Sequence, residues 1–184
     1  MNNIWQGNKV RLRAVRVDDW QDFFVFGQDT EVSQSAYEIP FPSSEDSVKE
    51  WTRKTALTEP TGDVFRWVIE NDESQFVGTL NTFDCVRRFG TFKYGIAVKR
   101  EFWKRGYASE AIRLVLVYYF HELRYQKVTS HVYDFNEASL KLHERLGFQR
   151  EGRLRRMGFT NGKFFDEIML GMTVEEFDAK WGSR

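Results

Sequence analysis

Residues 100–111 read REFWKRGYASEA, and this stretch decides the fold because it joins a strand-like run to the most regular helical pattern in the chain. The strand-like run is Thr91–Val98. Apolar residues then recur at helical spacing for about four turns, at Ala108, Ala111, Ile112, Val115, Leu116, Tyr119 and Leu123. Gly106 and Ala108 leave room for a ligand to approach the backbone, and the first-turn amides of a helix have no partner within it. The stretch therefore predicts an anion-binding turn.

The charges of the same turn support this prediction. Lys104 and Arg105 stand just before a helix N-terminus, where cations oppose the helix macrodipole. A bound anion such as a pyrophosphate would remove that conflict. The alternative is an ordinary connection between a strand and a helix, because such turns also occur without any ligand.

The rest of the chain mixes strand and helix patterns around one sheet, which is typical of an α/β fold. Apolar runs and alternation predict further strands at 10–16, 64–70, 75–86, 127–133, 148–159 and 164–173. Helical periodicity and capping signals predict helices at 18–27, 43–51, 108–123 and 137–146, and a terminal helical turn at 174–181. Asn161-Gly162 predicts a hairpin turn between the last two strands.

Composition narrows the classes of protein that fit. The 184 residues suit one domain, 1–184, and 27 basic against 27 acidic side chains argue against a nucleic-acid or membrane partner. Cys85 is the only cysteine, so no disulfide can form within the chain. His121, His131 and His143 lack metal-ligand spacing, so we expect no metal site. No apolar run spans a bilayer and the first residues do not resemble a signal peptide, which favours a cytoplasmic protein.

Three motifs together resemble the GNAT superfamily of N-acetyltransferases, in the form found in its RimJ/RimL-like branch. The likeness extends over about residues 10–177, and the spacing of all three motifs matches. The motifs are Trp103–Ala108 followed by Glu110-Ala111, then Asn136–Ser139 with Leu146–Phe148 and Glu151-Gly152, and finally Asn161-Gly162 with Asp166.

The resemblance implies a mixed α/β GNAT fold, a twisted sheet of about seven strands that is antiparallel except for a central parallel pair. It also implies that acetyl-CoA donates the acetyl group, with no metal involved, and that an amine attacks the thioester directly. The residues expected to hold the cofactor are Ile96 and Val98 through their backbone, the turn residues Lys104, Arg105, Gly106, Tyr107, Ala108 and Ser109, and the helix residues Asn136 and Ser139. A homodimer is one assembly that fits this expectation.

The catalytic residues are less well determined by the resemblance. His143 takes the place where many members carry a tyrosine thought to protonate the leaving sulfur, and imidazolium could do this near neutral pH; the alternative is a packing histidine. Lys93 stands where members often carry a glutamate base, and a lysine cannot be that base without deep burial. Asp84 is the candidate to replace it, the alternative being a turn residue. Asp166 is predicted to be structural, paired with Arg153, Arg155 or Arg156.

The acceptor amine stays open between classes. The RimJ/RimL-like resemblance suggests a protein N-terminal α-amine, whereas the hairpin motif and Asn136 also look like polyamine acetyltransferases. A polyamine site would need clustered carboxylates, for which Glu31, Glu38, Glu45 and Asp46 are candidates if they are not simply a solvated face. A protein from another class, a CoA-binding regulatory protein without catalysis, is suggested by Lys93.

Overall fold

The computed structural model describes residues 3–36 and 39–182, and these form strands and helices in a mixed order that agrees with the sequence prediction except for one additional helix, α2 (Thr30–Ala36). The strands are β1 (Val10–Ala14), β2 (Arg66–Asn71), β3 (Phe76–Val86), β4 (Thr91–Val98), β5 (Lys127–Tyr133), β6 (Gln149–Thr160) and β7 (Lys163–Thr173). The helices are α1 (Trp20–Gly27), α2 (Thr30–Ala36), α3 (Glu45–Leu57), α4 (Tyr107–Val117), α5 (Glu137–Leu146) and α6 (Val174–Trp181).

The seven strands form one sheet in the order β1-β2-β3-β4-β5-β7-β6, in which β4 and β5 run parallel. Antiparallel pairing joins β1 to β2, β2 to β3, β5 to β7 and β6 to β7. The predicted fold class, a mostly antiparallel sheet with a central parallel pair, is therefore confirmed.

The parallel pair is joined over only part of its length. Thr91–Lys93 of β4 pairs with Lys127–Thr129 of β5, while β5 pairs with β7 along all of its seven residues. β4 continues to Val98 beyond the paired part. The ladder between the two strands therefore ends at Lys93 and Thr129, and the strands part where the next residues are Tyr94 and Ser130.

The chain divides into two compact units, and the first contains the residues up to Asn81 together with Ile96–Leu114. An apolar cluster of Val15, Phe23, Val68 and Phe76 forms part of its core, with Phe26, Val48 and Ala56 packed against it. The ring of Phe23 meets those of Phe76 and Trp51 edge to face at about 5 Å.

The second unit contains Thr82–Gly95 and the residues from Val115 onward. Phe92 of β4 stacks on Tyr119 at 4.3 Å between ring centroids and meets Tyr125 edge to face. The predicted Asn161-Gly162 turn closes the β6–β7 hairpin, and both of its residues have positive φ, as a type I′ turn requires. Whether the two units are one domain, 1–184, stays a prediction.

The structure corrects three details of the predicted elements. A helix that the sequence pattern missed, α2, has one buried residue, Val32, and its first amides are capped by Asp29. The second predicted helix begins at Glu45, because Ser44 and not Ser43 accepts from the amide of Ser47, and it extends to Leu57. The long helix changes at Tyr118 to a π-helical turn that ends at Glu122.

Candidate active site

The predicted anion-binding turn lies between β4 and α4, within the first unit. Lys104 and Gly106 both have left-handed backbone conformations, with φ of +63° and +86°. The first helical hydrogen bond runs from the amide of Glu110 to the carbonyl of Gly106, so the amides of Tyr107, Ala108 and Ser109 precede the hydrogen-bonded ladder of α4. Left-handed residues just before a helix N-terminus help to form a concave set of N–H donors that suits an anion.

A lysine that the sequence analysis did not single out lies at this turn. Nζ of Lys9 donates to the carbonyl oxygen of Arg105 over 3.1 Å, and a Cβ atom built on Gly106 would lie 3.3 Å from the same nitrogen. Gly106 therefore keeps the approach to the turn open, and its positive φ also disfavours any side chain. The ammonium of Lys9 adds a third cation to those of Lys104 and Arg105.

Glu110 anchors the N-terminal segment to the first turn of α4. Its carboxylate accepts hydrogen bonds from the backbone amides of Asn8, Lys9 and Val10, at 2.9, 2.7 and 2.9 Å. Gly7 completes the contact, because a Cβ atom there would lie 2.6 Å from the carboxylate. The motif that contains Glu110 was recognised in the sequence, but its role as an anchor follows only from this contact.

The backbone of β4 that the resemblance assigned to the cofactor lies in the same unit. Ile96 is partly exposed and Val98 is buried. The indole N–H of Trp103 donates to the carbonyl oxygen of Val98 over 2.7 Å. This bond fixes the start of the turn against the end of β4.

The helix α5, in the second unit, begins with the predicted Asn136. Its side-chain oxygen accepts from the amide of Ser139 over 3.1 Å, so Asn136 is the N-cap of the helix. Ser139 in turn lies beside His143, with 3.4 Å between its hydroxyl and Nδ1 of the imidazole. The three residues therefore share one face, as their spacing predicts.

His143 is buried and has a hydrogen bond at each ring nitrogen. Nδ1 lies 2.8 Å from the carbonyl oxygen of Ser139, and Nε2 lies 2.7 Å from the hydroxyl of Tyr94. A carbonyl can only accept, so Nδ1 carries a proton; in the neutral imidazole Nε2 then accepts from Tyr94. Burial lowers the pKa of His143, only partly opposed by the bond to Ser139, which favours this neutral form.

Tyr94 completes a buried polar group where β4 and β5 part. Its side chain is hydrogen-bonded to Ser130 of β5 as well as to His143, and burial raises the pKa of its hydroxyl well above the ordinary range. The ring of Phe148 meets the ring of His143 edge to face, at 5.0 Å between centroids, and so packs against another side of this polar group. Sequence reasoning missed Tyr94, because alternation along β4 marks it only as a core position.

The structure places the two candidates for the base side by side. Nζ of Lys93 lies 3.1 Å from the carboxylate of Asp84, whose side chain is 63% exposed. Asp84 has a positive φ of +47° near the end of β3, in keeping with an irregular backbone there. The candidate base is therefore an exposed carboxylate that forms an ion pair with Lys93.

Asp166 is structural, as predicted. Its carboxylate accepts from Nε of Arg153 over 2.5 Å and from the backbone amide of Arg156 over 2.9 Å. The amide of Arg156 and the guanidinium of Arg153 hold the pKa of Asp166 below its usual value. Asp166 thus stays ionised and stabilises the β6–β7 hairpin, because its carboxylate on β7 bonds to Arg153 and Arg156 on β6.

The carboxylates considered for a polyamine site each have a cationic partner where the structure describes them. Glu31 pairs with Arg100 at 2.8 Å, and Glu45 and Asp46 both face Lys49, at 3.6 and 3.7 Å. Glu38 lies outside the described residues. These pairs indicate a solvated face, on which Glu45 and Asp46 share Lys49 and Glu31 shares Arg100 with Asp29.

Among the described residues there is no group of three or more side chains suited to hold a metal ion. No helix in the described part of the chain is both long enough and apolar enough to cross a membrane.

Comparison with known proteins gives a consistent result. Residues 9–149 match the family described as acetyltransferase (GNAT) domain. The SPbeta prophage-derived uncharacterized N-acetyltransferase YokL of Bacillus subtilis is 39% identical over 179 residues, 97% of each chain. Spermidine N(1)-acetyltransferase of Vibrio cholerae is 28% identical over 101 residues, 55% of this chain and 58% of that protein.

Among solved structures, spermidine N-acetyltransferase from Vibrio cholerae in complex with CoA and spermine superimposes with a TM-score of 0.81 over 93% of this chain and 99% of that one. The two sequences are 22% identical in that alignment, so the likeness concerns the fold.

Proposed function

Because the chain belongs to the GNAT family of acetyl-CoA-dependent N-acetyltransferases, we propose that it acetylates the N-terminal α-amine of a protein or peptide. The observation that carries the activity is the turn between β4 and α4, where two left-handed residues and a helix N-terminus present backbone N–H groups beside three cations. A turn of this kind suits a pyrophosphate rather than a neutral ligand.

The residues present fit the cofactor. Lys104, Arg105, Gly106, Tyr107, Ala108 and Ser109 would hold the pyrophosphate, through the open approach that Gly106 provides. When bound, acetyl-CoA supplies a thioester carbonyl that a neutral amine can attack. Backbone groups at Ile96 and Val98 remain our candidates for holding the pantetheine arm. Asn136 and Ser139 remain candidates on α5, although Asn136 already caps that helix.

Proton transfer needs a different assignment from the one that the resemblance suggests. The one N–H of neutral His143 donates to Ser139, so it has no proton to offer from Nε2. We therefore propose that His143 positions Tyr94 and that water protonates the departing thiolate. The amine proton leaves to solvent, since Lys93 is a cation at the place of the family's glutamate. Asp84, which pairs with Lys93 at 3.1 Å, remains the candidate carboxylate.

The choice of a peptide amine rather than a polyamine as the acceptor rests on the charges of the protein. A polyamine carries several ammonium groups and needs free carboxylates, whereas Glu31, Glu45 and Asp46 are paired with cations. The partial similarity to spermidine acetyltransferase keeps a polyamine as the second candidate. The non-catalytic alternative has less support, because Lys93 is the only feature that suggests it.

An acetyl-transfer assay tests the proposal. Purified protein is incubated with acetyl-CoA and, separately, with peptides that have free N-termini, with spermidine and with lysine, and the acetylated products are identified by mass spectrometry. We expect acetylation at the peptide α-amine. Acetylation of spermidine alone, or CoA binding with no product from any amine, would contradict it.

A further inference from the structure

The β6–β7 hairpin carries an open cavity of about 710 Å³, which the function proposed above does not use. Its lining residues, which we call the arginine cavity, are Arg153, Leu154, Arg155, Arg156, Met157 and Asp166. The cavity exists because the β6–β7 pairing is irregular between Leu154 and Gly158, so the intervening residues leave the ladder. Arg156, within this bulge, has a positive φ of +58°.

The arginine cavity is cationic. Three guanidinium groups face the carboxylate of Asp166, which its neighbours hold ionised, and Arg153 also pairs with Asp134, so the group carries a net charge of +1. Arg153 is fixed by bonds to Asp166 and Asp134, at 2.5 and 3.1 Å. The guanidinium of Arg156 lies over the ring of Phe164 at 4.2 Å from its centroid. Two of the cations are thus held in place before any ligand arrives.

The same cavity has apolar walls. Met157 is 57% exposed and Leu154 is 37% exposed. Leu154 lies between Arg153 and Arg155 in the chain, and Met157 directly follows Arg156. A ligand for such a surface combines carboxylates with apolar or backbone groups, as a peptide does. Nucleic acid fits less well, because its binding relies on many phosphate contacts and the chain as a whole has no net charge.

The arginine cavity lies beside the carboxyl end of β5. Asp134 directly follows that strand and bonds to Arg153, and its amide donates to the carbonyl oxygen of Asp166 over 3.0 Å. Tyr133, the last residue of β5, packs against Gly158, where a Cβ atom would lie 2.8 Å from its ring. This is the end of the sheet at which β5 has parted from β4. In open parallel sheets, ligands bind outside the carboxyl ends of the strands, and β4 and β5 run parallel in this sheet.

From this placement and charge we infer that the arginine cavity binds acidic side chains of the acceptor, so that the preferred substrate is an amine on an acidic peptide. The inference rests on the proposed function and narrows it to one class of peptide. A polyamine would be repelled by the same cations.

Binding is tested separately from catalysis. The acidic probe is a short peptide with a blocked N-terminus and a run of Asp and Glu. The basic probe is the matched peptide with Lys and Arg in their place. We expect the acidic probe to bind at least about tenfold more tightly, with an affinity that falls as salt is raised. Arg155→Glu is the informative variant, because Arg153 also holds the hairpin together and its loss would disturb Asp166 and Asp134.

Lys141→Glu makes a matched control. It reverses a charge of the same sign on α5, at a side chain that is 68% exposed and pairs with Glu137, one turn away. Arg155→Glu should weaken binding of the acidic probe about tenfold or more, whereas Lys141→Glu should stay within about twofold. Arg155→Gln, a milder change, serves if circular dichroism shows that Arg155→Glu does not fold.

The same peptides with free N-termini are then compared as substrates. Equal binding of acidic and basic probes, unchanged binding in the folded Arg155 variant, or tighter binding of an RNA oligonucleotide would each overturn the inference, whatever the activity. Tight and Arg155-dependent binding without acetylation of the free peptide would uphold the cavity as an acidic-peptide site and overturn the proposed function.

Discussion

The hydroxyl of Tyr94 donates a hydrogen bond of 2.7 Å to Nε2 of His143, and both side chains are buried. The direction of this bond follows from the carbonyl of Ser139, which can only accept from Nδ1. The bond joins β4 to α5 at the place where β4 and β5 separate. It also fixes His143 in a neutral form, with consequences for stability and for catalysis.

The first prediction concerns stability against pH. Because burial lowers the pKa of His143, the unfolded chain takes up this proton at a higher pH than the folded chain. Below the ordinary histidine pKa of about 6.5, the free energy of unfolding should therefore fall as pH falls. His143→Gln keeps a donor and an acceptor but does not titrate, so its stability should fall less steeply. Urea denaturation at several pH values measures both slopes.

His121 and His131 are present in both proteins, so the difference between the two slopes reports His143 alone. Parallel curves for wild type and His143→Gln through the acid range would show that the folded protein protonates His143 as readily as the unfolded chain does.

The second prediction concerns turnover. If neutral His143 positions Tyr94, His143→Gln should retain turnover within about tenfold, and activity of the wild type should not fall as pH rises through the histidine range. A proton donor would behave in the opposite way: an alkaline limb in the wild type, lost together with about 10² in rate in the variant. Steady-state rates against pH, measured with saturating acetyl-CoA, separate the two roles.

The third prediction tests the cofactor turn. Gly106→Glu places a carboxylate where the phosphates should bind and should weaken CoA binding by at least about tenfold, or 1.4 kcal/mol. Gly62→Glu is the control, because Gly62 also has a positive φ, +61°, and open space around it. The two variants therefore share the backbone penalty but not the site. Calorimetric titration with CoA should show normal affinity for Gly62→Glu; equal affinities in both folded variants would contradict the assignment.

The fourth prediction concerns Lys93. Its ammonium pairs with an exposed carboxylate, so Lys93→Met should change the free energy of unfolding by less than about 1 kcal/mol. Because a charged lysine cannot accept a proton, the acetylation rate should stay within about tenfold. Rates and urea denaturation of the same preparation test both statements. A thousandfold loss of rate in the folded variant would instead place Lys93 in catalysis or substrate positioning.

The sequence predicted those features that depend on neighbours along the chain. The β7 strand, the Asn161-Gly162 turn and the start of α4 near Tyr107 all follow from short-range periodicity, capping and backbone preference. The helix α2 was not predicted because its single buried residue, Val32, gives no periodic pattern, and its cap depends on one aspartate.

The sequence by itself determined the family, the order of the strands and the position of the turn before α4, because these are recorded in local spacing and in the choice of small residues. Only the tertiary structure decided the partners of the polar side chains. Tyr94 and His143 lie 49 residues apart, and the amide of Asn8 lies 102 residues from Glu110. No local pattern specifies such pairs. Their protonation and their bonds depend on which side chains are buried together, and burial is a property of the whole packed core.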